Sequence, residues 1–354
     1  MTNQREPIDR FFSIIPAGGI GSRLWPLSRA SAPKFLHDLT GSGQTLLQDT
    51  WDRLQPIASG KTMVVTGNVH AHAVEQQLPD LDEKNLILEP SPRDSTAAIA
   101  LAAAVLAQRQ PDVIIGSFAA DHVILDQAEF HKSVLEAVEV AATGKIVTIG
   151  IEPTEPSVGF GYIKSGDELG VTGAPEARHV IKFVEKPNIA KARKYVDSGQ
   201  YLWNAGIFIS PAALLLEQLA KSEPALHASI MELADQWDTD NRKAAIERIW
   251  PGLKKVAIDY SVAEPAAAAG LVAVIPASFS WHDVGDFAAI AELQSEGRKG
   301  NLAVLGNAKV LADSSSGILV SDTDRLIALI GVEDIIVVDT PDALLVTTKE
   351  HAQR

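Results

Sequence analysis

Phe11-Phe12-Ser13-Ile14-Ile15-Pro16-Ala17-Gly18-Gly19-Ile20-Gly21-Ser22-Arg23 decides the fold: an apolar strand runs straight into a turn with three glycines in four residues. Glycine carries no Cβ, so the backbone N–H groups of such a turn can approach phosphate oxygens closely, and Arg23 brings a fixed cation. Lys34, preceded by Pro33, adds a second. The same kind of turn also serves simply to pack a helix against a sheet, and the glycines alone leave both readings open. Spelling excludes two common phosphate motifs. No Lys-Ser or Lys-Thr follows the glycines as a P-loop requires, and no third glycine follows at the spacing of the dinucleotide fingerprint.

Outward from this turn, short apolar runs alternate with helical segments. Met63-Val64-Val65, Leu86-Ile87-Leu88, Val113-Ile114-Ile115 and Ile146-Val147-Thr148-Ile149 read as strands, and residues 45–54, 96–108 and 129–142 as helices. That alternation predicts an α/β fold, a Rossmann-like domain with a mainly parallel central sheet, whose ligand lies beyond the carboxyl ends of the strands. Residues 152–294 are less regular and read as an insertion closing over the first half, residues 1–151. The polar, glycine-rich stretch Ser295 to Gly300 marks a boundary to a small β domain over 301–354.

With 354 residues and 46% apolar content, the chain can fill one large core and a smaller one. A net charge of -14 argues against a nucleic-acid binder or a binder of anionic membranes, both of which show a basic face. The lack of cysteine excludes disulfides and thiolate metal sites and fits a reducing compartment. The first apolar run is too short for a signal peptide or a membrane span, so a cytoplasmic protein is expected.

Two strand-end clusters pair an aspartate with a histidine: Asp121-His122, and Trp281-His282-Asp283-Val284-Gly285-Asp286. Mg²⁺ takes one or two protein carboxylates plus phosphate oxygens and water, so Asp121 and Asp283 suffice as metal ligands, although each alone is equally a turn or capping aspartate. Zinc is disfavoured because no third ligand stands at zinc spacing. His70 and His72 read as solvated residues at a helix start. Glu185 and Lys186, before Pro187, suit sugar hydroxyls and a sugar phosphate, or form a solvated ion pair. Asn204, within an apolar strand, needs a partner in the protein or in a ligand. Asp94 or Ser95 reads as the N-cap of the alanine-rich helix, and Glu89 and Thr96 as cavity walls.

Taken together these motifs resemble, in order and over nearly the whole length, those of sugar-nucleotide pyrophosphorylases, specifically the mannose-1-phosphate guanylyltransferases. The resemblance rests on residues 18–29 with Pro33-Lys34, Glu89 to Arg93 with Thr96-Ala97, Ala120-Asp121-His122, Gly159 to Ile163, Phe183 to Pro187, Trp203 to Phe208, Ile258 to Ser261 and Trp281 to Gly285. The extension Leu24-Trp25-Pro26-Leu27-Ser28-Arg29 points to the mannose/guanosine branch. Departures stand at Phe35, Asp94, Phe118-Ala119, Ala205 and Ala263, where the family usually has other residues.

The resemblance implies a nucleotidyltransferase that joins GTP and α-D-mannose 1-phosphate into GDP-mannose and pyrophosphate, with Mg²⁺ on Asp121 and Asp283. It implies catalytic roles for Arg23, Lys34, Asp121 and Asp283, and nucleotide contacts from Ala17, Gly18, Gly19, Gly21, Ser22, Arg23, Glu89, Thr96 and Asp121. Gly161, Glu185, Lys186 and Asn204 would hold the sugar phosphate, which makes 152–294 the sugar-phosphate half. The tail would be a short left-handed β-helix, as in the short form without an isomerase domain, and a homodimer is a further expectation. Transfer to another hexose 1-phosphate, such as glucose 1-phosphate, and a non-catalytic nucleotide-sugar sensor are the alternatives.

Overall fold

The computed structural model describes residues 5–58, 60–295 and 302–354. The opening strand Phe11–Ala17 lies inside a nine-stranded sheet, in parallel with Thr62–Gly67 on one side and Ile114–Ser117 on the other. Leu86–Glu89 extends the parallel edge. Beyond Ile114–Ser117 come Tyr201–Pro211, Ile146–Ile151, Val272–Ala277, Arg178–Val184 and Tyr162–Glu168. Among these strands only Tyr201–Pro211 and Arg178–Val184 run against the rest, so the sheet is mainly parallel in direction. The sequence halves 1–151 and 152–294 share this one sheet, because Val272–Ala277 pairs with Ile146–Ile151.

Successive side chains of a strand face opposite ways, and both faces are covered. Ile14 enters one core with the helix Asp94–Arg109, whose run of small buried alanines packs against the helices Ala212–Ser222 and Pro224–Trp237. Ile15 enters the other with Leu46–Ala58 and Gln127–Ala141.

Two of the smaller expectations need correction. The side chain of neither Asp94 nor Ser95 caps the helix Asp94–Arg109: the chain enters it at Arg93, and the Ser95 hydroxyl accepts the Ile258 N–H at 2.9 Å. His70 is not solvated, since its ring lies edge-on to Phe35 and its Nε2 is 2.8 Å from the Ala30 carbonyl, whereas His72 is exposed.

The C-terminal strands stack as coils of a β-helix. Leu302–Gly306, Gly317–Ser321 and Ile335–Asp339 pair in parallel, Lys309–Asp313 pairs with Leu326–Ile330, and Leu344–Thr348 closes the stack antiparallel. The coil is irregular: Leu302 sits beside Gly317, fifteen residues on, and Gly317 beside Ile335, eighteen on. That uneven spacing hides the repeat from the sequence. The glycine-rich stretch expected as the boundary lies, from residue 296 to 300, outside the described residues.

Candidate active site

A second, two-stranded ribbon makes the centre of the site. His122–Ile124 pairs antiparallel with Trp281–Asp283, and Asp283 stands opposite His122, next to Asp121. Two aspartates more than 160 positions apart in sequence are thereby brought to one point, and Lys34 fills it. Its Nζ donates to Asp121 Oδ2 at 2.9 Å and to Asp283 Oδ1 at 3.3 Å, with the lysine side chain only 5% exposed. Burial pulls the Lys34 pKa down, but the two carboxylates outweigh it and hold the ammonium above the ordinary lysine value. Burial likewise opposes the charge on Asp121, and Lys34 and His122 overcome it to hold Asp121 below the usual carboxylate range. The ribbon spends one histidine nitrogen on itself, since Trp281 Nε1 donates to His122 Nδ1 at 3.3 Å.

The glycine loop abuts this centre. Gly21 has φ +71°, and a Cβ there would stand 2.6 Å from the Lys34 Cβ, so only glycine allows the lysine stem to pass. The Ser28 hydroxyl sits 2.6 and 2.7 Å from the Ile20 and Gly21 carbonyl oxygens and holds them inward. Among the described residues the N–H groups of Gly18, Gly19 and Gly21 make no hydrogen bond within the chain. Arg23 is exposed on a short turn and lies against the backbone beside Asp283, where a Gly285 Cβ would be 3.3 Å from its guanidinium.

Asp121 and Asp283 fit a divalent cation. Both are hard oxygen donors about a third exposed, and both converge on a single cation. Among the described residues no group of three or more His, Cys, Asp or Glu forms an all-protein cage. The remaining ligands would come from phosphate and water.

In front of the loop lies a cavity of about 380 Å³, lined by Ala17, Gly18, Gly19, Glu89, Arg93 and Lys255 among others. Glu89 is its buried wall. Its Oε1 has no hydrogen-bond partner, and burial alone pushes its carboxyl up to about 7. Asp94, also on the wall, takes φ +68°, a left-handed conformation that aspartate and asparagine tolerate better than other side chains. Thr96 is fully buried beneath the wall and bonds the Ser261 hydroxyl at 2.8 Å, which makes it a pin between segments. Ser22 and Arg23 both line a different cavity, on the β-helix side of the loop, with Leu345 and His351.

Gly161, Glu185 and Asn204 also meet. A Cβ on Gly161 would stand 2.5 Å from Glu185 Oε2 and 3.3 Å from Asn204 Cβ. Asn204 finds its partners in the protein: Oδ1 accepts from Thr148 at 2.7 Å and from the Gly206 N–H at 3.2 Å, and Nδ2 donates to Asp259 at 3.0 Å. A Cβ on Gly206 would stand 3.9 Å from the His122 ring, so this cluster lies near the aspartate centre. Lys186 pairs with Glu185 at 3.2 Å and is over half exposed.

Asp259 was missing from the sequence reading of the site. It sits at the start of a π-helical turn, Asp259–Ala263, where burial, aided by the Glu185 charge, pushes its carboxyl up to about 7. Glu264 joins the cluster by accepting the Glu185 N–H at 3.1 Å. The motif Ile258-Asp259-Tyr260-Ser261 was the available signal, but nothing local to it says that it faces Asn204. Arg53 was missed as well: it lies buried under the ribbon, 3.3 Å from the His122 carbonyl, and burial lowers its pKa to about 10.

This arrangement has relatives. A family model described as nucleotidyl transferase matches residues 12–300, and one described as MannoseP isomerase/GMP-like beta-helix domain matches residues 307–354. The chain is 37% identical over 346 residues to the xanthan biosynthesis protein XanB of Xanthomonas campestris, covering 96% of this chain and 70% of that protein. It is 35% identical over 349 residues to the mannose-1-phosphate guanylyltransferase of Escherichia coli, covering 97% and 72%. A solved structure from Thermus thermophilus, described as mannose-1-phosphate geranyltransferase, superposes with a TM-score of 0.83 at 30% identity, covering 97% of this chain and 96% of that one. The chain therefore belongs to the nucleotidyl transferase family, whose members generally use a divalent metal, and it carries a β-helix domain of the kind found in mannose-phosphate enzymes.

Proposed function

We propose that this protein transfers the guanylyl group of GTP to α-D-mannose 1-phosphate, giving GDP-mannose and pyrophosphate. The observation that carries the reading is the convergence of Lys34, Asp121 and Asp283 beside a glycine loop with unspent N–H groups. The reaction needs no protein nucleophile. A phosphate oxygen of the sugar phosphate, already an anion at neutral pH, attacks the α-phosphorus, and the bond to the bridging oxygen of the pyrophosphate breaks in line. Catalysis is then alignment and neutralisation of charge.

In this reading the N–H groups of Gly18, Gly19 and Gly21 grip the triphosphate, Arg23 faces the leaving pyrophosphate, and Lys34 faces the transferred phosphoryl group. Asp121 and Asp283 would hold Mg²⁺, which when bound neutralises charge on phosphate oxygens. Glu89 reads the base. Guanine offers N1–H and an exocyclic amine side by side as donors, which match the two oxygens of a carboxylate, whereas adenine offers an acceptor at N1. The orphaned Oε1 of Glu89 gains its missing partner that way. At the other end Glu185 and Lys186 take the sugar phosphate, with Asn204 holding Asp259 toward the same cluster.

The helices include none long and apolar enough to cross a membrane among the described residues. A cytoplasmic location is part of the reading. The test is pyrophosphate release from each nucleoside triphosphate with each hexose 1-phosphate in Mg²⁺. The expected result is fastest release from GTP with mannose 1-phosphate. Faster release with glucose 1-phosphate or with another nucleotide overturns the specificity, and no release from any pair overturns the activity.

A further inference from the structure

The end of the chain reaches back to the glycine loop. After the last strand, the short turn Lys349–His351 carries Gln353 to a place between Arg23 and Asp286. The side-chain oxygen of Gln353 accepts from Arg23 Nη1 at 3.1 Å, and its amide donates to Asp286 Oδ2. The other Asp286 oxygen is occupied too, accepting the N–H groups of Ala288 and Ala289 at 2.9 and 3.0 Å at the start of the helix Phe287–Ser295. Asp286 is buried and lies three residues from Asp283. One glutamine thus ties the arginine of the glycine loop to the segment that bears an aspartate of the centre.

The tie is part of a broader seam. Arg29, from the same loop, makes a two-pronged pair with Asp342 at 2.6 and 2.7 Å. Leu24 and Leu27 share an apolar core with Val284, Phe287, Ile336 and Ala352. The β-helix therefore backs the loop directly.

The chemistry of the partner matters. Arg23 is an exposed, many-rotamer side chain, and holding it still reduces what a ligand must order on binding. A carboxylate at position 353 would hold it but set a negative charge where phosphate must come. The glutamine amide supplies an acceptor without a charge, so it adds nothing that repels phosphate, and the amide's own N–H goes to Asp286.

We propose that Gln353 is a positioning residue that holds Arg23 at the pyrophosphate end of the site without bringing a negative charge, so that the β-helix domain sets the grip on the triphosphate. The inference rests on the reaction proposed above. Its test is steady-state kinetics of the full chain in both directions, with GTP and mannose 1-phosphate forward and GDP-mannose and pyrophosphate in reverse. Gln353→Ala should raise KM for GTP and for pyrophosphate by about 5- to 20-fold and leave KM for mannose 1-phosphate unchanged, while the Tm falls because buried Asp286 loses a donor. In an Arg23→Ala background the same change should add nothing. Gln353→Glu should weaken pyrophosphate more than Gln353→Ala, because it sets a negative charge beside the arginine.

Unchanged KM values for GTP and pyrophosphate overturn the inference. So does a uniform rise in every KM, which marks a structural contact only. If Gln353→Ala does not fold, Gln353→Asn, with the same amide one methylene shorter, carries the same comparison. Wild-type protein that makes no GDP-mannose overturns the reaction itself, whereas an active wild type with a kinetically silent Gln353→Ala overturns this inference alone.

Discussion

Carboxylates in this molecule live in two contrasting settings. At the ribbon, Asp121 and Asp283 share the Lys34 ammonium, and Asp121 is held ionised below its ordinary range despite burial. In the cavity before the glycine loop Glu89 is buried, and beside Asn204 Asp259 is half-buried, both with too little positive charge to offset desolvation, and both are pushed up to about 7. The first setting is a charge balance completed by the protein and ready for a metal and phosphates. In the second Glu89 has an oxygen with no donor, and Asp259 has the Asn204 amide but little positive charge. Under the proposed function, the difference separates groups that would drive the reaction from groups that would choose the substrate.

The contrast predicts different kinetic signatures. Removing a member of the balanced centre should strike turnover: Asp121→Ala is expected to lower kcat by about 10³-fold at saturating substrates, with Tm little changed. Steady-state rates in Mg²⁺ alongside a thermal melt check this. A folded variant with normal turnover would remove Asp121 from the metal and phosphate end. Removing an incomplete carboxylate should strike selectivity instead. Glu89→Gln swaps one acceptor oxygen for a donor, and the preference for GTP over ATP in kcat/KM should fall by about 10- to 100-fold, read from competing-substrate rates. Equal preference before and after would mean that Glu89 does not face the base.

Asn204 tests the link between the two settings. It holds Asp259 on one side and accepts the N–H of Gly206, near the aspartate ribbon, on the other. Asn204→Ala leaves the Asp259 and Thr148 side chains without a partner, and KM for mannose 1-phosphate should rise about 10-fold with kcat changed far less. A loss confined to kcat would assign Asn204 to the reacting centre.

How much of this was readable in sequence follows the range of the contacts. The glycine loop and its strand are local, and Gly18 to Arg23 proclaim themselves in a dozen residues. Asp121 and Asp283 were readable as strand-end aspartates, because each follows its own apolar run. That they meet is implied only by the resemblance, which places one Mg²⁺ on both; nothing local shows it, since the pairing of His122–Ile124 with Trp281–Asp283 joins segments far apart in sequence. The need of Asn204 for a partner was legible from its apolar strand, yet the partners, Thr148 and Asp259, come from elsewhere in the chain. Thr96 shows the opposite error: its position beside the Glu89 wall suggested a ligand contact, and a distant serine takes its hydroxyl. Gln353 carries no local signal of any kind.

The smallest effect distinguishes the two settings by titration. Asp259 and Glu89 hold their protons more tightly in the folded chain than in the unfolded one, from ordinary values of 3.8 and 4.5 up to about 7. Between about pH 4 and pH 7 the folded state therefore binds more protons, so stability contributed by these groups is present at the acid end and declines as pH rises through 7. Asp121, with its pKa depressed, has the reverse sign: its contribution is present above the ordinary aspartate value and is lost as the solution is made more acid. Thermal melts of the ligand-free protein from pH 5 to pH 8 leave Asp121 out, because it is ionised throughout that window, and comparison with a variant separates Asp259 from the other shifted groups, His122 and Glu185 among them. Asp259→Asn removes a titrating group while keeping its shape, and the decline in Tm across this range should become shallower by about 1–3 °C. GTP added to the wild type should flatten the Glu89 share in the same way, through guanine donors that favour the ionised carboxylate. An identical decline in Asp259→Asn would mean that Asp259 is ionised in the folded protein at pH 5, and the division between completed and waiting carboxylates would then stand on Glu89 alone.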